Sequence, residues 1–375
     1  MIPYSTQDIN EDDIRAVERT LRSGWLTQGP AIEKFEKAIA KKVGAKHAVA
    51  FNSGTAALHA AYFAAGVGKG DEVLVPAITF AATGNAALYL GATPVFADVD
   101  STTGNMDVKD AARKITKKTK ALVPVDYAGR PVDLAAFRAL AKKHKLVLIE
   151  DGAQSLGASY RGKPVGSQAD MTMFSFHPVK SITTGEGGVI VTDNERYCRL
   201  LKLFRSHGIT RDAHFVKESE GPWHQEMHAL GENYRITDIQ AALGESQLKR
   251  LDSFVAKRAA AARRYPTLLK NLPIILPPPD TAAAESAWHL YPVQVPAEKR
   301  RAIFEALRAA GIGVQVHYLP VYRHPYYQKL GYKKGLCPNA EHFYAGEISI
   351  PLFPGITQKQ QKFVADTLRR ILTLI

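Results

Sequence analysis

Cysteine is nearly absent from this chain. Its 375 residues include two, Cys198 and Cys337, far apart and in no metal-binding or redox spacing. Cysteine-based metal and redox motifs are thereby excluded, and a reducing, cytoplasmic setting is expected. No stretch approaches the roughly 18 consecutive apolar residues of a membrane span, so no membrane partner is expected. The opening "MIPYSTQDINEDDIRAV" has neither the basic region nor the apolar core of a signal peptide. Zinc-finger spacing, a basic region followed by heptads, and basic stretches interleaved with aromatics are all missing, which argues against nucleic acid as a partner. Internal repeats and low-complexity segments are missing too.

What is present reads as a globular protein, with 46% hydrophobic and 23% charged residues. At about 100–200 residues per domain, the length suits two domains. Lys and Arg exceed Asp and Glu by 49 − 36 = 13. The excess is spread through runs such as "RKITKKTK" and "AKKHK", which read as solvated helix faces and remain compatible with an anionic substrate.

Ile14, Val17 and Leu21 follow helical spacing up to Gly24, and Ile32, Phe35, Ile39 and Val43 repeat the signal up to Gly44. Short apolar runs then alternate with helical stretches: "HAVAFN", "DEVLVPA", "TPVFADVD", "ALVPVDY", "LVLIED", "MTMFSF" and "GGVIVTD". This alternation predicts an α/β fold with a mainly parallel seven-stranded sheet covered on both faces. The last two runs have no helix between them, so the final strand should be antiparallel. A long helical stretch from "TDIQAALG" and the proline-rich "NLPIILPPPD" follow. Beyond these we expect a smaller α/β region: strand "AWHLYPVQV", helix "EKRRAIFEALRAAG", strand "IGVQVHY" and a terminal helix striped with Val364, Leu368, Ile371 and Leu372. The expected division is a large domain over 1–250 and a small C-terminal one over 251–375.

Ligands of open α/β sheets collect at the carboxyl ends of strands, and several of these strands end in polar residues. Ser53-Gly54-Thr55 opens a helix, where free N–H groups, a hydroxyl and the helix dipole suit a phosphate; a Ser at that place also serves simply as a cap. Asp151 ends "LVLIE", either as a cap or as a buried carboxylate that needs a cation. Ser175 ends "MTMF", and Lys180 follows on a turn running into "TTGEGG". A lysine able to form a Schiff base, an acid to protonate a ring nitrogen and a phosphate site are together what pyridoxal phosphate requires.

These stretches, "SGTAAL", "EDGAQSLGASYRG", "FSFHPVK" and "TTGEGG", together with "FRSHGI", "NYRITDIQAALG" and "PLFPGIT", resemble the DegT/DnrJ/EryC1/StrS sugar aminotransferases along nearly the whole chain. The resemblance implies the aspartate aminotransferase-like fold (fold type I). It also implies that Lys180 carries the cofactor and Asp151 pairs with its ring nitrogen. Gly54, Thr55 and Ser175 would hold the phosphate, and Phe80 would stack on the ring. Asn233 would reach the neighbouring subunit's cofactor in a homodimer with shared sites. Tyr4, Gly24, Trp25, Leu26 and Thr27, and Gln315, Val316, His317 and Tyr318, match substrate-contacting positions. Tyr4 and Trp25 also fit plain surface packing, and His317 equally fits a hydrogen-bonded core histidine. Many relatives have histidine where this chain has Gln154, which can hydrogen-bond the cofactor but cannot titrate near neutral pH. No metal is implied.

Within the family, "VDYAG", "NYRITDIQ" and "QVHYLPVY" look most like the pseudaminic-acid branch. That branch moves the amino group of L-glutamate to C4 of a 4-keto-6-deoxy UDP-N-acetylhexosamine. A 4-aminotransferase of the UDP-L-arabinose or GDP-perosamine type is the neighbouring expectation. A non-catalytic nucleic-acid-binding regulator is the expectation from a different class.

Overall fold

The computed structural model describes residues 1–374. Central strands are β1 (His47–Phe51), β2 (Glu72–Pro76), β3 (Thr93–Ala97), β4 (Thr119–Leu122), β5 (Val147–Asp151), β6 (Met171–Ser175) and β7 (Gly188–Thr192). Among the described residues they form a seven-stranded sheet in the order β1-β7-β6-β5-β4-β2-β3. β2, β3, β4, β5 and β6 pair in parallel, while β7 pairs antiparallel with β6 and β1. β1 therefore points the same way as the parallel set. Side chains of successive strand residues face opposite ways. In β1, Val49 and Phe51 enter one core and Ala48 and Ala50 the other; in β7, Ile190 and Val189 divide the same way. Both faces are thus apolar, which is why the runs read as near-continuous hydrophobics.

Helices cover those faces: α1 (Glu11–Leu21), α2 (Pro30–Val43), α3 (Gly54–Ala64), α4 (Ala82–Tyr89), α5 (Val108–Lys114), α6 (Leu134–His144), α7 (Glu195–Arg205) and α8 (Asp238–Leu248). Ser53 caps α3 by accepting from the Ala56 N–H (3.1 Å), and Gly44 ends α2 with φ 74°. The long helical stretch expected after residue 237 is two helices, α8 and then α9 (Leu251–Leu268). The break falls at Lys249–Arg250, where the Arg250 guanidinium turns to Asp8 and Asp13 beside α1.

A separate core follows: β8 (Tyr291–Gln294), α10 (Arg300–Ala309), β9 (Glu347–Ile350) and α11 (Gln358–Leu374) pack around Tyr265, Tyr291, Val293, Leu307, Ile348 and Leu368. β8 pairs antiparallel with β9. "AWHLYPVQV" is strand only over β8. "IGVQVHY" is extended but not a continuous strand. It makes isolated bridges, Ile312 to Ile2 and Gln315 to Ser349, because its backbone is shared between the N-terminal arm and β9. Gly313 donates to Ile2 O (2.7 Å), and no Cβ would fit there, 2.9 Å from that oxygen.

Candidate active site

β5 ends at Asp151, whose backbone N–H donates to Pro124 O (2.9 Å) beyond the end of β4. The carboxylate is buried. Its Oδ2 accepts from the Thr83 hydroxyl (2.8 Å) and its Oδ1 from the Ala153 N–H (3.2 Å). Burial pushes its pKa up; the two hydrogen bonds and the charge of Lys180 pull it back without cancelling that rise. A carboxylate in this state is short of positive charge.

Lys180 stands on the turn between β6 and β7. The turn is closed by Lys180 N–H to His177 O (2.9 Å) and Thr184 N–H to Phe176 O (3.0 Å). Gly185 sits at φ 78°, where other residues are strained. Gly188 is demanded by close approach, since a Cβ there would lie 2.6 Å from Ser53 O and 2.7 Å from Gly54 N. The glycines of "TTGEGG" thus bring the lysine turn against the Ser53–Thr55 turn. Burial lowers the Lys180 amine to about 8; Asp151 opposes that shift and Arg258 reinforces it. Arg258, 1% exposed, has no carboxylate partner among the described residues; it donates to Leu352 O (2.9 Å), His289 O (3.2 Å), Val179 O (3.3 Å) and Ser5 Oγ (3.4 Å). It ties the residue before Lys180 to the small core and the N-terminal arm.

The first N–H groups of α3 have no intrahelical acceptor. Gly54 packs against Ser175: a Cβ on Gly54 would stand 3.2 Å from Ser175 Cβ and 3.3 Å from its Oγ. Backbone donors at the start of α3, where Thr55 follows Gly54, and the Ser175 hydroxyl therefore share one strand-end corner.

Gln154 is buried, with its amide oriented at both ends: Oε1 accepts from the Ala128 N–H (2.7 Å) and Nε2 donates to Tyr318 Oη (3.1 Å). The Tyr318 ring meets Phe80 edge-on at 6.2 Å and His317 at 4.8 Å, and His317 lies 5.6 Å from Tyr4. Phe80 is 63% exposed, in the turn before α4. It is not a core aromatic, and its face is free to be covered. Gln315 is exposed and Val316 half-buried beside this cluster.

Two expected groups stand apart. Gly24, Trp25, Leu26 and Thr27 are exposed at the start of α8, with Leu26 O accepting from the Asp238 N–H (3.0 Å) and Thr27 bridging Thr237. Asn233 is exposed; its backbone bridges Ser206, and its carbonyl accepts from Asn52 Nδ2 (3.5 Å), one residue before Ser53. Two residues that sequence reasoning missed, Thr83 and Arg258, sit 68 and 78 positions from the groups they serve and carry no local signal. A cavity of about 510 Å³ lies elsewhere, lined by Leu276, Trp288, Leu290 and Phe343.

These residues fit pyridoxal phosphate. A carboxylate short of positive charge answers a protonated ring nitrogen, a lysine lowered to about 8 can bond an aldehyde, and the Gly54–Ser175 corner offers donors to a phosphate. The chain is 41% identical to the UDP-4-amino-4,6-dideoxy-N-acetyl-beta-L-altrosamine transaminase of Campylobacter jejuni, over 99% of this chain and 98% of that one. Its fold matches Helicobacter pylori PseC, an aminotransferase involved in the biosynthesis of pseudoaminic acid (35% identity, TM-score 0.93, 100% of both chains). It equally matches the PLP-form of Spr1654 from Streptococcus pneumoniae (32% identity, TM-score 0.93, 100% of this chain and 99% of that one). The fold is thus the fold type I aminotransferase architecture expected from the strand pattern. Residues 7–369 match the family model, and the chain belongs to the DegT/DnrJ/EryC1/StrS aminotransferase family.

Proposed function

We propose that this aminotransferase uses pyridoxal phosphate bound at Lys180 to move the amino group of L-glutamate to C4 of a 4-keto-6-deoxy UDP-N-acetylhexosamine. The observation that carries the chemistry is the pairing of a lysine lowered to about 8 with a buried, under-compensated Asp151 at neighbouring strand ends. The choice of sugar rests on the altrosamine transaminase and PseC relatives.

When bound, the cofactor supplies an electron-accepting ring. Asp151 would hold a proton on the ring nitrogen, and Thr83 fixes that carboxylate. Gly54, Thr55 and Ser175 would anchor the phosphate, Phe80 would cover the ring, and Gln154 would donate from Nε2. Lys180 Nζ would take the proton from the α-carbon of L-glutamate, since burial lowers its amine to about 8. In the second half it delivers a proton to C4 of the sugar. A low amine pKa makes Lys180 a base at neutral pH. Tyr4, Gln315, Val316, His317 and Tyr318 line the sugar side.

The exposed Phe80, Trp25 and Leu26, and the exposed Asn233, support a homodimer in which Asn233 and Gly24–Thr27 complete the partner's site. We place the enzyme in the cytoplasm; no described helix is long and apolar enough to cross a membrane. We assign 1–250 to the cofactor-binding domain and 251–375 to the small domain. Amination assays with 4-keto forms of UDP-N-acetylhexosamine, UDP-L-arabinose and GDP-mannose sugars test the substrate. A preference for either of the latter two would move the assignment to that type.

A further inference from the structure

Side chains two apart on a strand share a face, so Glu347 and Ser349 of β9 project together while Ile348 and Ile350 enter the small core. Opposite them runs the segment carrying His317. The His317 N–H donates to Glu347 Oε2 (2.7 Å), Glu347 Oε1 lies 2.6 Å from Ser349 Oγ, and Ser349 Oγ lies 2.8 Å from His317 Nδ1. The result is a chain of three groups: carboxyl, hydroxyl and imidazole. Glu347 and Ser349 are 0% exposed and His317 6%. Among the described residues the cation bearing on Glu347 is Arg300, which already donates to Tyr344 O (2.5 Å). A carboxyl group so buried without an ion pair favours its neutral form. Since Oε2 already accepts from a backbone N–H, the proton belongs on Oε1, facing Ser349.

We propose that Glu347 and Ser349 are positioning residues that set the hydrogen-bonding role of His317: Glu347 donates to Ser349, Ser349 donates to Nδ1, and Nε2–H is left as a donor to an oxygen of the bound sugar. Only the last link rests on the proposed function; the tautomer does not. His317 Nε2 has no protein partner among the described residues, although the residue is more than nine-tenths buried. That nitrogen is not among the fully buried atoms and so stays accessible to a ligand.

Burial and Lys180 hold His317 down at about 3, so its ring stays neutral and the chain decides which nitrogen carries the proton. Burial raises Glu347 to about 8, with Ser349, the His317 N–H and Arg300 opposing. Above that pH, Glu347 ionises and Ser349 turns its proton toward the carboxylate. The ring proton then belongs on Nδ1, and Nε2 becomes an acceptor. The other titratable groups facing the chain are Tyr127, whose hydroxyl donates to His317 O (2.6 Å), Tyr318, Tyr4, His289 and Lys180. Burial moves each of these tyrosines upward and His289 downward, so neither type changes charge near neutral pH, while Lys180, lowered to about 8 when free, would be held by the cofactor in the loaded enzyme.

Nitrogen-15 NMR of the histidine-labelled, cofactor-loaded enzyme tests the chain without any sugar, with the His317 signal identified by its loss in His317→Phe. Wild type should show the Nε2–H tautomer at pH 6.5 and move toward Nδ1–H above pH 8. Glu347→Gln, whose amide donates to Ser349 at every pH, should hold Nε2–H throughout. An Nδ1–H tautomer at pH 6.5, or a Glu347→Gln enzyme that switches like wild type, overturns the proposal. A second readout is the sugar KM, which should rise roughly tenfold from pH 7 to 9 in wild type, the scale of one hydrogen bond turned repulsive, and stay flat in Glu347→Gln. A tautomer that behaves as expected with KM profiles that coincide refutes only the contact with the sugar.

Discussion

At pH 7 an amine with a pKa of about 8 is roughly 9% neutral, against about 0.03% for an ordinary lysine, so Lys180 should offer about 300 times more nucleophile than a surface lysine. Raising the pH is the perturbation that exposes this. Cofactor-free enzyme is mixed with pyridoxal phosphate, and the visible absorption of lysine-bound cofactor is followed in time. Rates divided by those of a simple amine in the same buffer cancel the pH behaviour of the aldehyde. The neutral fraction of Lys180 should climb about tenfold per pH unit up to 7 and level off near 8. In Asp151→Asn the plateau should move to lower pH, because the carboxylate holds the lysine's proton against the effect of burial. A rate that keeps climbing to pH 10, as for a solvated lysine, would refute the claim that burial sets the amine. A plateau moved upward by Asp151→Asn would refute the electrostatic reasoning even if the plateau itself were present.

Other outcomes follow from the same contacts. The folded pKa of Lys180, about 8, lies below its unfolded value near 10.5, so the unfolded chain binds more protons between those values and cofactor-free stability should rise with pH there. Lys180→Met should accordingly stabilise the cofactor-free protein at pH 7 by up to about 3 kcal/mol, and by nothing at pH 11, as read by urea unfolding. Thr83→Val removes one donor from Asp151 and should lower turnover roughly tenfold with the protein still folded; unchanged turnover would remove Thr83 from the site. Gly188→Ala sets a methyl against Ser53 O and the Gly54 backbone; it should cost about 1–3 kcal/mol of stability and weaken cofactor binding, measured by unfolding and by equilibrium dialysis.

The strands and the antiparallel β7 were legible because their signals are local: apolar runs, polar strand ends, and no helix between "MTMFSF" and "GGVIVTD". Asp151, Lys180 and the Ser53–Thr55 turn were legible for the same reason, each sitting at the end of a readable strand. The order of strands in the sheet was not, since it depends on which surfaces pack together. Thr83, Arg258 and Glu347 act through contacts across dozens of residues, and their neighbours in sequence look like ordinary helix and strand. "IGVQVHY" shows the converse: a convincing β pattern whose hydrogen bonds are divided between two partners. Gln154 read as a departure from its relatives, and only the Ala128 and Tyr318 contacts show which way its amide points.

The central claim is that Lys180 carries pyridoxal phosphate and moves the proton in an amino transfer from L-glutamate to a 4-keto nucleotide sugar. Its most direct test is the absorption spectrum of the cofactor-loaded enzyme, titrated first with L-glutamate and then with the 4-keto-6-deoxy UDP-N-acetylhexosamine, beside Lys180→Ala. The account predicts that glutamate abolishes the lysine-bound band in wild type and that the sugar restores it, while Lys180→Ala folds but does neither. A wild-type protein that shows no such band after pyridoxal phosphate is added, or a Lys180→Ala variant that turns over normally, would contradict it.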